Sequence, residues 1–183
     1  MIDLNRLIDP LIGREGGYVN DPRDSGGETI WGITERVARA NGYTGPMRSM
    51  PRTEAVRIYR KRYIEDPGFG RIAEVSERVA EELIDTGANM GQQRAGEFLQ
   101  TALNALNRRA SDYPDVVVDG DAGPATRAAL KAYLRLRGKD GETVLLRALN
   151  ALQGARYIEL SQARQKDEAF VFGWFRTRVE VPA

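Results

Sequence analysis

The chain has 183 residues, 27 of them basic and 26 acidic, for a formal net charge of +1. It contains neither cysteine nor histidine, so disulfides, thiol or imidazole catalysis and thiolate- or histidine-ligated metals are all excluded, and carboxylates remain as the acid–base groups. The near-neutral balance gives no global field for nucleic acid, and a chain this long buries roughly 70% of its extended surface without covalent staples.

Met1-Ile2-Asp3-Leu4-Asn5-Arg6 lacks the basic start and apolar run of a secretion signal. No run of about 18 apolar residues occurs. Synthesis in the cytoplasm and no stable membrane insertion are expected. Leu4, Leu7, Ile8, Leu11 and Ile12 recur at helical spacing and predict an amphipathic helix running into Glu15, with Pro10 as a kink or restart point. Gly13, Gly16 and Gly17 break it there. The stretch 19–34 carries turn residues and predicts at most a short hairpin.

Helices are then predicted over Thr34–Ala40, stopping at Asn41-Gly42, and over about 52–64 with Ala55, Ile58 and Tyr59 inward. The basic run Arg57, Arg60, Lys61 and Arg62 reads as a solvated helix face. Ser76 caps a helix whose buried stripe is Val79, Ala80, Leu83, Ile84 and Gly87, closed by Gly91. Ala95, Phe98, Leu99, Ala102, Leu103 and Leu106 define the next. Val116-Val117-Val118 is too short to establish a strand. Gly123-Pro124 opens a helix that runs to Gly138, and a last long helix covers about 142–167 with a stripe including Val144, Leu145, Leu149 and Ile158. Phe170, Phe172, Trp174 and Phe175 form a closing aromatic cluster.

The chemistry concentrates early. Glu15 precedes Gly16-Gly17-Tyr18, and Asp24 follows nine positions later in a glycine-rich turn. Glycosidic cleavage uses such a pair: one carboxylic acid protonates the leaving oxygen, and a second carboxylate supports the oxocarbenium-like sugar or activates water. A helix-end site against apolar residues would raise the Glu15 pKa and keep it protonated. Asp24 also suits amide capping in its turn. Thr29 fits either water positioning or a strand. Tyr18, Trp31 and Tyr43 suit sugar stacking or the core. Asn89 and Gln92 suit sugar hydrogen bonding or helix capping around Gly91. Asp119-Gly120-Asp121 lacks the remaining ligands of a calcium loop and reads as a turn before a helix. No metal and no cofactor are expected.

Together these segments resemble the phage and bacterial N-acetylmuramidases of glycoside hydrolase family 108 and the predicted peptidoglycan domain that accompanies it. The likeness rests on Glu15-Gly16-Gly17-Tyr18-Val19-Asn20-Asp21-Pro22, Asp24, Gly26-Gly27, Thr29 and Gly32-Ile33-Thr34. Further matches are Asp85, Asn89 and Gly91; Asp119-Gly120 through Gly123-Pro124 and Thr126; and Gly173-Trp174 with Arg176 or Arg178. Met90-Gly91-Gln92 departs from the family's usual small residue, glycine and proline. The resemblance implies a mainly α, lysozyme-like fold with at most a small β-hairpin, and cleavage of the β-1,4 bond after N-acetylmuramic acid. It places the catalytic acid on Glu15 and, less directly, second-group roles on Asp24 and Thr29. It divides the chain into a catalytic region, 1–91, and a helical peptidoglycan-binding-type region, 92–183, expected to pack as one compact unit. The expected partner is bacterial peptidoglycan. By analogy the protein is a monomeric endolysin of a phage or prophage in a Gram-negative host, released to the periplasm through holin. A lytic transglycosylase on the same bond, and a non-catalytic wall-binding or virion protein, are the alternatives.

Overall fold

The computed structural model describes residues 5–9, 11–12, 17–20 and 27–179. The chain divides into two units, Met1–Asp66 and Pro67–Ala183. Among the described residues the fold is mainly α with one two-stranded antiparallel hairpin, as a lysozyme-like chain is expected to be.

In the first unit, helix α1 covers only Asn5–Ile8, not the longer helix into Glu15 that the apolar periodicity predicts. Proline at position 10 has no N–H to offer and disfavours helical geometry in the residue before it. The chain instead turns, with the Leu11 N–H donating to the Ile8 carbonyl at 2.8 Å. Ile8 and Ile12 are nonetheless buried, so both apolar positions serve the core without a continuous helix. The hairpin pairs β1 (Thr29–Ile30) with β2 (Ile33–Thr34). Helix α2 (Glu35–Ala40) follows directly, capped by the Thr34 hydroxyl on the Val37 N–H.

Helix α3 (Arg52–Arg60) buries Ala55, Ile58 and Tyr59 as predicted. It then widens into a π turn, Lys61–Glu65. One extra residue in the turn shifts the inward face. Ile64 thereby reaches the core at 1% exposure, and Tyr63 is left half-buried, stacked on Tyr59 with ring centres 5.6 Å apart.

The second unit comprises α4 (Phe69–Ala73), α5 (Glu77–Met90), α6 (Gln92–Leu106), α7 (Pro124–Ala163, interrupted at Gly138) and α8 (Glu168–Arg178). Its core gathers Phe69, Ile72, Leu83, Leu99, Leu103, Leu130, Leu145 and Leu149. Ser76 caps α5 by accepting from the Val79 N–H. Gly91, at φ 93°, joins α5 to α6, and Gln92 occupies the first helical position, which also tolerates proline.

The segment between α6 and α7 is clamped by side chains. Three consecutive non-glycine residues, Arg108, Arg109 and Ala110, have φ of 53°, 62° and 59°, a left-handed turn that costs about 1–2 kcal/mol per residue. Fully buried Asn107 holds it by accepting from the Ala110 N–H and donating to Asp115. The Asn104 amide makes both hydrogen bonds to Val116 that a neighbouring strand would make. Val116–Val118 is therefore extended without being a strand, and Val117 stays 75% exposed.

The Asp119–Thr126 turn closes on Gln100. That buried amide donates to Asp119 Oδ1, the Asp121 carbonyl and Thr126 Oγ1, and accepts from the Asp119 and Gly120 N–H groups. These bonds, with the Asp121 N–H, hold the Asp119 carboxyl below the usual range. A Cβ on Gly96 would stand 2.0 Å from the Gly120 carbonyl oxygen, so the turn requires glycine there.

Gly138 leaves the helical region at φ 59°, ψ −148°, where a helix end is predicted. Beyond it the buried stripe steps through Gly141, Leu145, Leu149, Gln153 and Tyr157. Val144 and Ile158, expected in that stripe, lie one position off it and are 42% and 48% exposed. The helix ends at Ala163 rather than near 167, because Arg164 turns extended and a short 3-10 turn, Gln165–Asp167, leads into α8. The closing aromatics are therefore helical. Tyr157 stacks on Trp174 and meets Phe175 edge-on, whereas Phe172 is 77% exposed.

Candidate active site

Glu15 and Asp24 lie outside the described residues. What is described is the frame between and after them. Val19, directly after Tyr18, exchanges two 2.8 Å backbone hydrogen bonds with Thr29. The chain on either side of Thr29 thus belongs to one small antiparallel arrangement of the Val19 segment, β1 and β2.

Thr29 itself is half-buried, and its hydroxyl is sealed from solvent with no hydrogen-bond partner among the described residues. Nearly all buried polar side-chain atoms are paired in native proteins.

The hairpin tip is held in an uncommon conformation. Trp31 has φ 56° and Gly32 φ 72°, the positive pair that a type I′ two-residue turn requires. Glycine meets that demand freely; tryptophan does not. Two hydrogen bonds secure it: the indole N–H donates to the Met50 carbonyl at 2.9 Å, and the Tyr59 hydroxyl donates to the Trp31 carbonyl at 3.1 Å. A Cβ at position 32 would stand 2.7 Å from that same hydroxyl oxygen. Burial of Tyr59 pushes its pKa up, which keeps the O–H a donor.

The other expected binding residues are placed as follows. Tyr18 is half-buried, one residue before Val19, with the Arg48 guanidinium 4.7 Å from its ring centre. Tyr43 donates to the Pro46 carbonyl at 3.0 Å and carries Arg39 on its ring, so both its hydroxyl and one face are committed within the loop after α2. Tyr18, Thr29 and Trp31 share the bridge and hairpin; Tyr43 stands in its own loop.

Asn89 and Gln92 belong to the second unit. Asn89 donates to the Asp85 carbonyl at 2.7 Å, and Gln92 packs against Gly87 across the Gly91 joint. Asp85 forms an ion pair with Arg178 at 2.6 Å. The segment of Asp85, Asn89 and Gly91 and the C-terminal segment of Gly173-Trp174 therefore meet through Asp85 and Arg178. Sequence reasoning matched each element separately, and no spacing signal links residues 93 positions apart. The supporting roles of Tyr59 and Arg48 were equally out of reach, since one is an apolar-stripe residue and the other a loop cation. Among the described residues no cluster of acidic side chains has the makings of a metal site.

Residues 8–91 match the family model described as Glycosyl hydrolase 108, and residues 94–179 match the one described as Predicted Peptidoglycan domain. The boundary between the matches falls at the α5–α6 joint, whereas the packing units divide at Asp66–Pro67. Among solved structures, that of Brucella abortus SagA is similar, with 24% identity and a TM-score of 0.62 over 94% of this chain and 87% of that chain. This likeness concerns the fold. No curated protein sequence matches the chain.

Proposed function

We propose that this chain, whose residues 8–91 belong to the glycosyl hydrolase 108 family and whose residues 94–179 belong to the predicted peptidoglycan domain family, is an N-acetylmuramidase that uses Glu15 as its general acid. The two family memberships make it a peptidoglycan hydrolase. The finer reading assigns the bond, between N-acetylmuramic acid and N-acetylglucosamine, and the groups that cut it. Residues 1–91 supply the catalysis in this reading, and 92–183 the wall-binding region.

Glu15 protonates the glycosidic oxygen as the bond to the leaving sugar breaks. Asp24 stabilises the developing positive charge or takes a proton from the attacking water. Thr29 orients that water through its hydroxyl. Whether configuration is retained or inverted follows from the separation of the two carboxyls. The observation that supports this reading is the match of residues 8–91, which include Glu15, Asp24 and Thr29, to the glycosyl hydrolase 108 family model, with Thr29 held in a strand bridged to Val19. Tyr18 and Trp31 flank it as sugar-contacting residues. Tyr43, Asn89 and Gln92 are further candidates for substrate contact.

In the cell the same reading makes the protein a monomeric phage or prophage endolysin that reaches a Gram-negative wall through holin lesions. Among the described residues no helix is long and apolar enough to cross a membrane, so passage by its own helices has no support. The test is turbidity loss of outer-membrane-stripped Gram-negative cells, wild type beside Glu15→Gln, with mass spectrometry of the released fragments. Hydrated muramic acid ends, lost in the folded variant, are expected. Anhydro ends would make it a transglycosylase. Wall binding without lysis by either protein would make it a binding module.

A further inference from the structure

The second unit contains a pocket of about 370 Å³ where the end of α5 meets α7 and α8. Its walls include Asn89, Tyr157, Arg164, Asp167, Phe170 and Trp174. Three aromatic rings line it in series: Tyr157 lies 4.9 Å from Trp174, and Phe170 lies 6.1 Å from Trp174, both pairs stacked. Phe170 is 57% exposed, so much of its ring stays open beyond the stack.

Buried polar atoms at and behind this wall are left unpaired. Tyr157 is only 3% exposed, and its hydroxyl has no hydrogen-bond partner. One turn earlier, buried Gln153 Oε1 is also unpartnered. Asn89 uses its Nδ2 on Asp85, and no described residue donates to its Oδ1. Buried polar atoms left unpaired in a roomy site mark a place for water or for a ligand's own polar groups.

The charges decide the class of ligand. Arg164 is paired with Asp167 at 2.7 Å, and Arg178, close to Tyr157, is paired with Asp85 at 2.6 Å. Each cation already has its carboxylate, so a free acid such as a stem peptide gains no unpaired positive charge here. A neutral, amphipathic ligand fits: apolar ring faces to lie on aromatic rings, hydroxyls for Tyr157, an amide N–H for Asn89.

We propose that this pocket is a subsite for an N-acetylated sugar of the glycan strand, with Trp174 as its stacking platform and Tyr157 and Asn89 as its hydrogen-bonding groups. The inference rests on the reading that the chain acts on peptidoglycan. It gives the region 94–179 a binding site built jointly with α5, which carries Asn89.

The chain has two tryptophans, so the two indole N–H resonances of the full-length protein report on Trp31 and Trp174 separately. Titration with N-acetylglucosamine trimer should shift the Trp174 resonance saturably. Tyr157→Phe, which retains the ring and removes only an unpaired hydroxyl, should weaken that binding about fivefold, the value of one net hydrogen bond. A Trp174 resonance that stays still, or one that responds only to the free stem tripeptide L-alanyl-D-glutamyl-diaminopimelate, would overturn the proposal. So would Tyr157→Phe binding as tightly as wild type. A silent pocket beside Glu15-dependent lysis removes the subsite alone. Sugar binding at Trp174 in a chain that never lyses cells removes the hydrolase reading instead.

Discussion

The two units keep their shape by different means. From Met1 to Asp66 the described chain relies on elements of two to nine residues, tied by single hydrogen bonds such as Tyr59 to Trp31 and Trp31 to Met50. From Pro67 onwards it relies on long helices with continuous apolar stripes and on clamping side-chain amides, Gln100, Asn104 and Asn107. The first arrangement holds a left-handed tryptophan at a hairpin tip, whereas the second confines its left-handed residues to the Arg108–Ala110 turn between helices.

The comparison breaks most sharply at Glu15. Glu15→Gln should lower lytic activity by about a thousandfold, within the range of a lost general acid, and leave the melting temperature unchanged. Retained activity in the folded variant would remove the first unit's claim to the chemistry.

In the second unit the largest effect should be structural. Gly96→Ala drives a Cβ into the Gly120 carbonyl and should cost about 3 kcal/mol, read from the urea midpoint. A loss under 1 kcal/mol would show that the Asp119–Thr126 turn yields easily and that the second unit is softer than its packing suggests.

Thr29→Val separates function from stability within the first unit. No hydrogen bond among the described residues is lost, so stability should hold or rise slightly, whereas activity should fall about tenfold. Equal activity would return Thr29 to the role of a strand residue. Tyr59→Phe is smaller again: losing one hydrogen bond to the Trp31 carbonyl should cost about 1 kcal/mol.

The mildest contrast appears only in alkali. Burial raises the pKa of Tyr59, Tyr133 and Tyr157, and pushes Tyr113 up to about 12. A tyrosine that ionises later folded than unfolded stabilises fully below the unfolded value near 10. That contribution is lost as pH rises from there towards 12. Urea midpoints at pH 9 and 11 should differ, and Tyr113→Phe should narrow the difference. Below pH 9 these groups should add no pH dependence.

Much of the fold was legible because local signals agree with packing. Ser76, the stripe Val79 to Ile84 and Gly91 mark α5 by cap, periodicity and stop. Pro124 and Gly138 bracket the first arm of α7 in the same way. Misreadings arose where the signals conflict. Leu11 and Ile12 continue a helical period that proline ends. Ile64 reaches the core through an added residue in a π turn, and Gln153 occupies a core position that polarity hides, which displaced Val144 and Ile158 from the expected stripe. Of the candidate site, Glu15 and Asp24 lie outside the described residues, and the structure gives only Thr29, in β1 and bridged to Val19. The left-handed Trp31 was not legible, because φ at a hairpin tip follows from strand pairing across the turn. Nor was the meeting of Asp85 with Arg178, which depends on where three helices cross.

The offset between the family boundary and the packing boundary matters to anyone building chimeric lysins. A seam at residues 91–94, where the sequence families part, would separate α5 from α6, α7 and α8 and strip Val79, Leu83 and Ile84 of their cover. A donor fragment meant to lend wall affinity should instead begin near Pro67 and bring α4 and α5 with it. Swapping modules at the conventional joint would then yield insoluble hybrids, for a reason unrelated to specificity.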